Sequence, residues 1–369
     1  MSMHILALES YYGGSHKAFL DGWQTHSAHE FTVFALPPNK WKWRMRHAAI
    51  TFAQQVNERA AAGEQWDVLF CSDMLNLAEF RGLAGEPVRR LPTVAYFHEN
   101  QLTYPVQVES ARDYQYGMTN ITTALAADAV WFNSAFHRDA FLEAVGTFLK
   151  RMPDYQPLEA MEAIRAKSSI HPPGIAPIQV ARPPAQGPPR ILWAARWEHD
   201  KNPEDFFSAM KRLKQAGLDF RLNVIGEQFR DGPAVFDWAK GYFADHIDRW
   251  GFQPGRKDYE NALAESDIVV STANHEFFGI GVLEAIAAGC CPLLPNRLSY
   301  PEILQALTGK HKGPFVYDGT VDGLANKLKS LIGARLRWNK TSISTGFRGF
   351  YWPARSASMD QAIVSVHSA

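Results

Sequence analysis

The chain has 369 residues, which is enough for about two domains of roughly 150 residues each. Hydrophobic residues make up 46% of it and charged residues 21%, as in ordinary globular proteins, so disordered and collagen-like chains are excluded. The 38 basic and 38 acidic side chains cancel, and any polyanionic partner must therefore bind to a local patch.

Cysteine content and hydropathy indicate the compartment. The chain has three cysteines, Cys71, Cys290 and Cys291, and the last two are adjacent in the sequence. An odd number of cysteines and an adjacent pair argue against a disulfide framework and favour a reducing compartment. The N-terminal residues lack the basic region and apolar stretch of an export signal, and no window reaches about 18 uninterrupted apolar residues. We expect a cytoplasmic protein that does not bind membranes.

Short β-branched and aromatic runs alternate with amphipathic, helix-length stretches in the first half of the chain. The longest predicted helix covers residues 43–62, and another covers 134–145. This alternation is typical of α/β proteins, in which crossover helices connect the strands of a parallel sheet. The predicted strands are residues 4–9, 31–36, 67–72, 93–98 and 129–133.

A connector divides the chain, because residues 172–190 contain seven prolines and two glycines, a density that excludes a regular helix. The alternation then restarts, and apolar residues return in near-helical spacing at the end of the chain. The predicted strands of this half are 190–197, 220–227 and 267–272, and the predicted helices are 203–217 and 279–289.

We therefore predict an α/β protein of two Rossmann-like domains that face a cleft, where the functional site is expected. The domains cover residues 1–172 and 190–346, and a linker joins them at 173–189. A C-terminal helix at 347–369 is expected to cross back to the first domain.

The most specific local pattern follows the predicted strand at 267–272 and runs into a helix. Glu276 and Glu284 stand eight positions apart across this turn, where helix N-terminal amides attract phosphate. Glu276 is then placed to bind hydroxyls near the phosphate, and Glu284 to reach a ribose. The alternative makes Gly279 a simple turn glycine and Glu284 a solvated helix residue.

A pair of cations follows the first strand of the second half. The sequence contains no H-E-x-x-H, no C-x-x-C and no aspartate-rich calcium loop, so neither a metal nor a cofactor is expected. A nucleotide diphosphate then needs fixed cations, and Arg196 and Lys201 are suited to supply them. The alternative is that these cations pair only with Glu198 and Asp200.

Two polar motifs follow strands of the first half. Gly13 and Gly14 come after the first strand, where paired glycines let the backbone approach a ligand, although a turn without a ligand explains them as well. His98 closes an apolar run at the carboxyl end of another strand and is placed to bind a sugar hydroxyl. The alternative is a structural histidine.

A basic and aromatic patch, composed of Lys40, Lys42, Arg44 and Arg46 with Trp41 and Trp43, lies at the start of the 43–62 helix. Cations at a helix N-terminus oppose the helix dipole by roughly 0.3 to 1 kcal/mol each, so stability alone does not favour them. Basic and stacking side chains together suit RNA. A solvated surface with the tryptophans packed inward is the alternative.

These motifs together resemble the GT-B glycosyltransferases of family four, through E-x7-E at Glu276 and Glu284, the Arg196 and Lys201 pair, and Gly13-Gly14. Longer stretches are similar to the tRNA-queuosine α-mannosyltransferases, and the resemblance extends from Leu6 to about Leu304. These are F-H-E-N-Q-L-T-Y-P-V at 97–106, R-D-Y-Q-Y-G at 112–117, R-W-E-H-D-K-N-P-E at 196–204, H-E-F-F-G at 275–279 and P-N-R-L-S-Y-P-E at 295–302.

The resemblance implies a retaining enzyme that transfers mannose from GDP-mannose to queuosine at the wobble position of tRNA-Asp. Residues 1–172 would bind the acceptor and 190–346 the nucleotide sugar. The catalytic candidates are His98, Glu276, Arg196 and Lys201. By family likeness, Arg196 and Lys201 would hold the diphosphate, and Glu284 would hold the ribose. The donor sugar would be held by Glu276 and the backbone of Phe277, Phe278 and Gly279, and His98 would bind one of its hydroxyls. Gly13 and Gly14 would face the pyrophosphate.

Several alternatives stay open from the residues. Retention without an obvious protein nucleophile favours front-face displacement, in which a donor phosphate oxygen accepts the proton of the acceptor hydroxyl. A covalent intermediate on Glu276 is the other mechanism. The other functions are a GT-B transferase with a lipid or glycan acceptor and a non-catalytic RNA-binding protein on the same fold.

Overall fold

The structure is a computed structural model that describes residues 2–106, 112–183, 187–229, 232–309, 315–333 and 347–368. The chain forms two units, one of Met1–Gly174 with Phe350–Ala369 and the other of Ile175–Gly349. The first division falls within the predicted linker. Residues 184–186 of that linker and the predicted boundary at 346 lie outside the described residues.

The first unit is built on a parallel sheet with the strand order β2-β1-β3-β4-β5-β6. Strands β3 and β4 are buried along their whole length, as expected where helices cover both faces of a parallel sheet. The strands are β1 (His4–Glu9), β2 (Glu30–Ala35), β3 (Val68–Ser72), β4 (Thr93–Phe97), β5 (Ala129–Phe132) and β6 (Ser168–Ile170).

The helices of the first unit are α1 (Gly14–His26), α2 (Trp41–Ala61), α3 (Leu77–Leu83), α4 (Glu86–Arg89), α5 (Tyr114–Ala126), α6 (Ala135–Lys150) and α7 (Glu159–Ala166). Helices α3, α5 and α6 begin at side-chain caps. The side chains of Asn76, Asp113 and Ser134 each accept a hydrogen bond from a backbone amide in the first turn of the helix that follows.

The second unit repeats this plan, with a parallel sheet in the order β12-β11-β10-β7-β8-β9. Its strands are β7 (Arg190–Ala194), β8 (Arg221–Ile225), β9 (Ile247–Gly251), β10 (Ile268–Val270), β11 (Cys291–Pro295) and β12 (Val316–Tyr317). Its helices are α8 (Pro203–Gln215), α9 (Val235–Tyr242), α10 (Arg256–Glu265), α11 (Ile280–Ala288), α12 (Tyr300–Thr308) and α13 (Val321–Gly333).

The C-terminal helix α14 (Trp352–His367) completes the first unit. The ring of Trp352 packs against Gly22 and Gly174, where any β-carbon would collide with it. The carboxylate of Asp360 accepts hydrogen bonds from Nε1 of Trp23 at 2.8 Å, Oγ of Ser27 at 2.7 Å and the amide of Ala28 at 2.8 Å. The prediction that this helix crosses back to the first domain is confirmed.

Two other expectations bear on the compartment. The three cysteines are free and buried, so none forms a disulfide. Within the described ranges, no helix is both long and apolar enough to cross a membrane.

Candidate active site

Lys201 connects two motifs of the second unit. It ends a short 3-10 turn, His199–Lys201, after β7, and its Nζ donates hydrogen bonds to the carbonyl oxygen of His275 at 2.8 Å and to Oε2 of Glu276 at 3.4 Å. Burial would lower the pKa of Lys201, but the carboxylates of Glu276 and Asp200 outweigh it and raise the pKa. The side chain, only 8% exposed, is therefore a fixed buried cation.

The turn after Glu276 has a backbone that favours glycine. Gly279, the residue before α11, has a φ of 95°, and a β-carbon there would lie 3.0 Å from Cε1 of Tyr300. Phe277 and Phe278 are buried, and the Phe278 carbonyl accepts a hydrogen bond from Oγ of Ser299 at 2.6 Å. Buried side chains thus fix this turn at the N-terminus of a helix, where free amides attract an anion.

Glu284 is not a solvated helix residue, so that alternative is wrong. It lies in the second turn of α11 and is 9% exposed. Its Oε1 accepts a hydrogen bond from Nη1 of Arg256 at 2.8 Å, and its Oε2 accepts one from the Tyr259 hydroxyl at 2.9 Å. Burial and the nearby Glu284 carboxylate raise the pKa of Tyr259 well above its ordinary value, so this hydroxyl remains a donor.

Arg196 differs from Lys201, because 45% of its side chain is exposed and its Nη2 lies 3.0 Å from Oε2 of Glu198. Lys201 also pairs with Asp200, at 3.0 Å. Both ion pairs of the alternative interpretation therefore form. For Lys201 that interpretation is incomplete, because its ammonium also contacts Glu276 of the other motif.

Gly13 and Gly14 connect β1 to α1 in the first unit. The extended backbone of Gly13 lies against Pro38, and a β-carbon would collide with that ring. Gly14 has a φ of 52°, in the left-handed region that favours glycine, and a β-carbon there would meet open space. The local structure therefore explains why glycine occupies both positions, and the open space at Gly14 leaves room for a ligand.

His98 follows β4 and stacks on His16, with ring centroids 3.9 Å apart and 29° between the ring planes. Its Nε2 is buried and has no hydrogen-bond partner among the described residues. Burial and the neighbouring His16 and His137 lower the pKa of His98 well below its ordinary value, so its ring is neutral at neutral pH.

Three further residues near His98, which were not predicted as site residues, are Glu9, His16 and Asp73. Glu9 ends β1 and Asp73 follows β3, so both lie at the same sheet edge as His98. Oδ1 of Asp73 accepts a hydrogen bond from the amide of His98 at 2.9 Å, and burial raises the pKa of Asp73 well above its ordinary value. The sequence pattern that could have indicated Glu9 and Asp73 is an acidic residue at the carboxyl end of an apolar strand.

Three of these residues form a possible metal-binding group. Glu9, His16 and His98 each offer one ligand atom, and these atoms lie within 4.8 Å of one another. The prediction that no metal is needed stays a prediction.

The basic and aromatic patch lies on the surface of the first unit, and α2 begins at Trp41, two residues earlier than predicted. The alternative with inward tryptophans is wrong, since Trp41 is 36% exposed and Trp43 is 62% exposed. Lys40 and Lys42 are also exposed, and Arg46 lies over the ring of Tyr116. Arg44 instead donates to the carbonyl of Pro37 at 3.0 Å and to Asn39 at 2.9 Å.

Comparison with known proteins assigns both halves of the chain. Residues 4–175 match the model described as tRNA-queuosine alpha-mannosyltransferase N-terminal, and residues 177–341 match that of glycosyl transferases group 1. A tRNA-queuosine alpha-mannosyltransferase of Drosophila melanogaster is 38% identical, over 81% of this chain and 81% of its own length. The chain belongs to the tRNA-queuosine alpha-mannosyltransferase family.

More distant proteins share the fold of this family. A GDP-mannose-dependent alpha-(1-6)-phosphatidylinositol dimannoside mannosyltransferase of Mycobacterium tuberculosis is 23% identical, over 79% of this chain and 72% of its own length. The structure of Anabaena HepE in complex with UDP has a TM-score of 0.70 at 14% identity, covering 98% of this chain and 100% of that chain. The predicted GT-B fold is confirmed.

Proposed function

We propose that the protein transfers mannose from GDP-mannose to queuosine at the wobble position of tRNA-Asp, with retention, in the cytoplasm. The observation that carries this proposal is the 38% identity to the Drosophila tRNA-queuosine alpha-mannosyltransferase. The hydrogen bond between Lys201 and Glu276 supports it further, because it joins a buried cation to a carboxylate suited to sugar hydroxyls.

The residues of the second unit hold the donor. Lys201 and Arg196 neutralise the diphosphate, and Glu284 accepts hydrogen bonds from the ribose. Glu276 and the backbone of Phe277, Phe278 and Gly279 hold the mannose. In the first unit, His98 contacts a mannose hydroxyl, and Gly13 and Gly14 face the pyrophosphate.

The reaction proceeds by front-face displacement. The oxygen of the queuosine hydroxyl forms a bond to the anomeric carbon of mannose, and the bond from that carbon to the β-phosphate oxygen breaks. A phosphate oxygen of the leaving GDP takes the hydroxyl proton. Negative charge grows on the diphosphate, where Lys201 and Arg196 stabilise it. A carboxylate paired with an ammonium is a weak nucleophile, which disfavours a covalent bond to Glu276.

The tRNA binds with the help of Lys40, Lys42, Arg44 and Arg46. Cations attract the phosphate backbone, and the exposed ring of Trp43 offers a stacking surface to an unpaired base. The anticodon loop, which carries the wobble base, is the part of a tRNA with such bases.

The test is mass spectrometry of nucleosides after incubation of queuosine-containing tRNA-Asp with the protein and either GDP-mannose or UDP-galactose. We expect one hexose on queuosine from GDP-mannose only, and none on queuosine-free tRNA. Transfer from UDP-galactose would contradict the donor. Tight tRNA binding without transfer from either donor would favour the RNA-binding protein, and neither binding nor transfer would favour a lipid or glycan acceptor.

The mechanism has a separate test. Intact-protein mass spectrometry during turnover should detect no mannosyl adduct. A stable adduct on a peptide that contains Glu276 would overturn front-face displacement in favour of a covalent intermediate.

A further inference from the structure

Neighbouring rings fix the imidazole of His98. His16, in the first turn of α1, covers one face at a centroid distance of 3.9 Å. The rings of Phe19 and Tyr96 meet it at 5.1 Å and 4.6 Å, with interplanar angles of 89° and 62°. Rotation of the His98 ring would therefore displace three buried aromatic side chains.

Glu9 holds His16 in turn. Its buried Oε1 accepts hydrogen bonds from Nδ1 of His16 at 3.2 Å, from Oγ of Ser72 at 2.9 Å and from the amide of Tyr11 at 2.8 Å. Burial disfavours the charged form of His16, but the Glu9 carboxylate outweighs it and raises the pKa of His16 to about 9. A cationic imidazole thus lies on the neutral ring of His98.

The other charged groups that face this pair lie after β3, next to His98 after β4, and on α6. Asp73 follows β3 and Glu99 follows β4, and both favour the cation on His16. His137 on α6 faces His98 and disfavours a charge there.

We propose that His16 and Glu9 are positioning residues for His98, which keep its imidazole in one orientation for contact with a hydroxyl of the transferred sugar. This proposal rests on the proposed function, in which His98 binds the donor sugar. A neutral imidazole has one donor and one acceptor nitrogen, whereas an imidazolium has two donors. Burial, with a smaller contribution from His16, lowers the pKa of His98 and therefore leaves its ring one donor and one acceptor nitrogen.

A metal ion bound by Glu9, His16 and His98 is the competing interpretation. Zinc needs the in-plane lone pairs of both imidazoles to converge on one point about 2.0 to 2.1 Å from each nitrogen. Two rings stacked at 3.9 Å with 29° between their planes direct these lone pairs along nearly parallel planes. The stacked geometry fits a charged ring on a neutral ring better than a pair of ligands.

The test uses the full chain with labelled histidines and five variants. NMR titration of the Glu9→Gln variant should show the pKa of His16 falling from about 9 to about 6.5 or below, because its counter-charge is gone. Transfer by this variant should have a kcat about 10- to 100-fold lower at neutral pH, with little change in the KM for GDP-mannose. The alkaline limb of its kcat profile should move to lower pH with His16.

Four further variants separate positioning from folding. Glu64→Gln, which removes a carboxylate paired with Arg59 in the same unit, should keep the wild-type kcat. The double variant Glu9→Gln/His16→Phe, which keeps an aromatic ring on His98, should have the same kcat as Glu9→Gln. In a His98→Asn background, Glu9→Gln should cause no further loss, because it acts through His98.

The opposite outcomes are equally clear. The positioning role alone would be overturned if Glu9→Gln kept the wild-type kcat and the alkaline limb of its kcat profile did not move. It would also be overturned if the kcat losses of Glu9→Gln and His98→Asn multiplied in the double variant. One zinc ion per purified chain, with activity lost to a chelator and restored by zinc, would replace it with a metal site. A wild type that titrates as stated but transfers no mannose would overturn the proposed function and the positioning role together.

Discussion

The ammonium of Lys201 lies 3.4 Å from Oε2 of Glu276, a residue that follows it by 75 positions in the chain. A 3-10 turn places the cation, and the segment after β10 places the carboxylate. The carboxylates of Glu276 and Asp200 raise the pKa of Lys201, so the buried ammonium stays charged. In the proposed function, this single ion pair connects the residue that neutralises the diphosphate to the residue that holds the sugar.

Replacement of Glu276 by glutamine should lower kcat by about 10²- to 10³-fold, because the variant loses a charged acceptor that positions the sugar. Binding of tRNA, measured by filter retention, should stay at the wild-type level. Glu265→Gln is the matched control, since this carboxylate at the end of α10 pairs with Arg249 on β9 of the same unit and should be dispensable. Weakened tRNA binding by Glu276→Gln would contradict its role in the donor site.

Glu284→Gln should weaken GDP binding by about 10- to 100-fold, because a hydrogen bond to a charged group contributes about 1.5 to 3 kcal/mol. Titration calorimetry with GDP measures this effect without any transfer. The Arg256 guanidinium and the Tyr259 hydroxyl hold Glu284 in place, so Arg256→Ala should cause part of the same loss. Wild-type affinity in Glu284→Gln would exclude the ribose contact.

Gly279→Ala should destabilise the second unit, because a left-handed backbone costs a residue with a β-carbon about 1 to 2 kcal/mol. The new methyl group would also press on Tyr300. Thermal unfolding should show a lower Tm, and GDP affinity should fall with it. The control is Gly82→Ala in α3, where a β-carbon meets open space, and its Tm should equal or exceed that of the wild type.

Trp43→Ala should weaken tRNA binding by about 1 to 3 kcal/mol if its ring stacks on a base, and should leave the Tm unchanged because the ring is largely exposed. Trp238→Ala, which removes an exposed tryptophan from the second unit, is the control. Equal tRNA affinities of the two variants would contradict a stacking role for Trp43.

The four cations of the patch should respond unequally to alanine. Replacing Lys40, Lys42, Arg44 and Arg46 together should raise the KM for tRNA and flatten its salt dependence, while GDP affinity stays constant. Among single variants, Arg44→Ala should lower the Tm most, because Arg44 ties α2 to Pro37 and Asn39. An unchanged KM for tRNA in the quadruple variant would remove the patch from the tRNA-binding surface.

Asp360→Ala should lower the Tm of the first unit, because it leaves the buried indole of Trp23 without its acceptor, at a cost of about 1 to 3 kcal/mol. The amide of Ala28 loses its partner as well. The control Asp322→Ala removes an exposed partner of Arg212 and should have little effect. Similar Tm values for the two variants would show that α14 is anchored in another way.

The strands of the first sheet were largely predictable from sequence. Predicted strand ends differ by one residue at most for β1 to β5, because buried parallel strands are continuous apolar runs between polar residues. Strand β6 was missed, since three half-buried residues carry no such pattern.

The candidate site was predictable only where its residues lie in one motif. Glu276, Glu284 and Lys201 belong to local patterns, whereas Arg256 and Tyr259 come from α10 and reach Glu284 only through tertiary packing. The inward packing offered as an alternative for Trp43 failed because helical spacing alone does not say which face of a helix is buried.

Because α14 belongs to the first unit, that unit cannot be completed until the C-terminal segment has been synthesised. Met1–Gly174 leaves the ribosome before the second unit, whereas Phe350–Ala369 leaves after it. Until then, Trp23 lacks its hydrogen-bond acceptor and the site filled by Trp352 stays open. A nascent chain thus carries an incomplete first unit throughout synthesis of the second. A premature stop just before Trp352 leaves the first unit without α14, even though every residue proposed to bind the donor has already been translated.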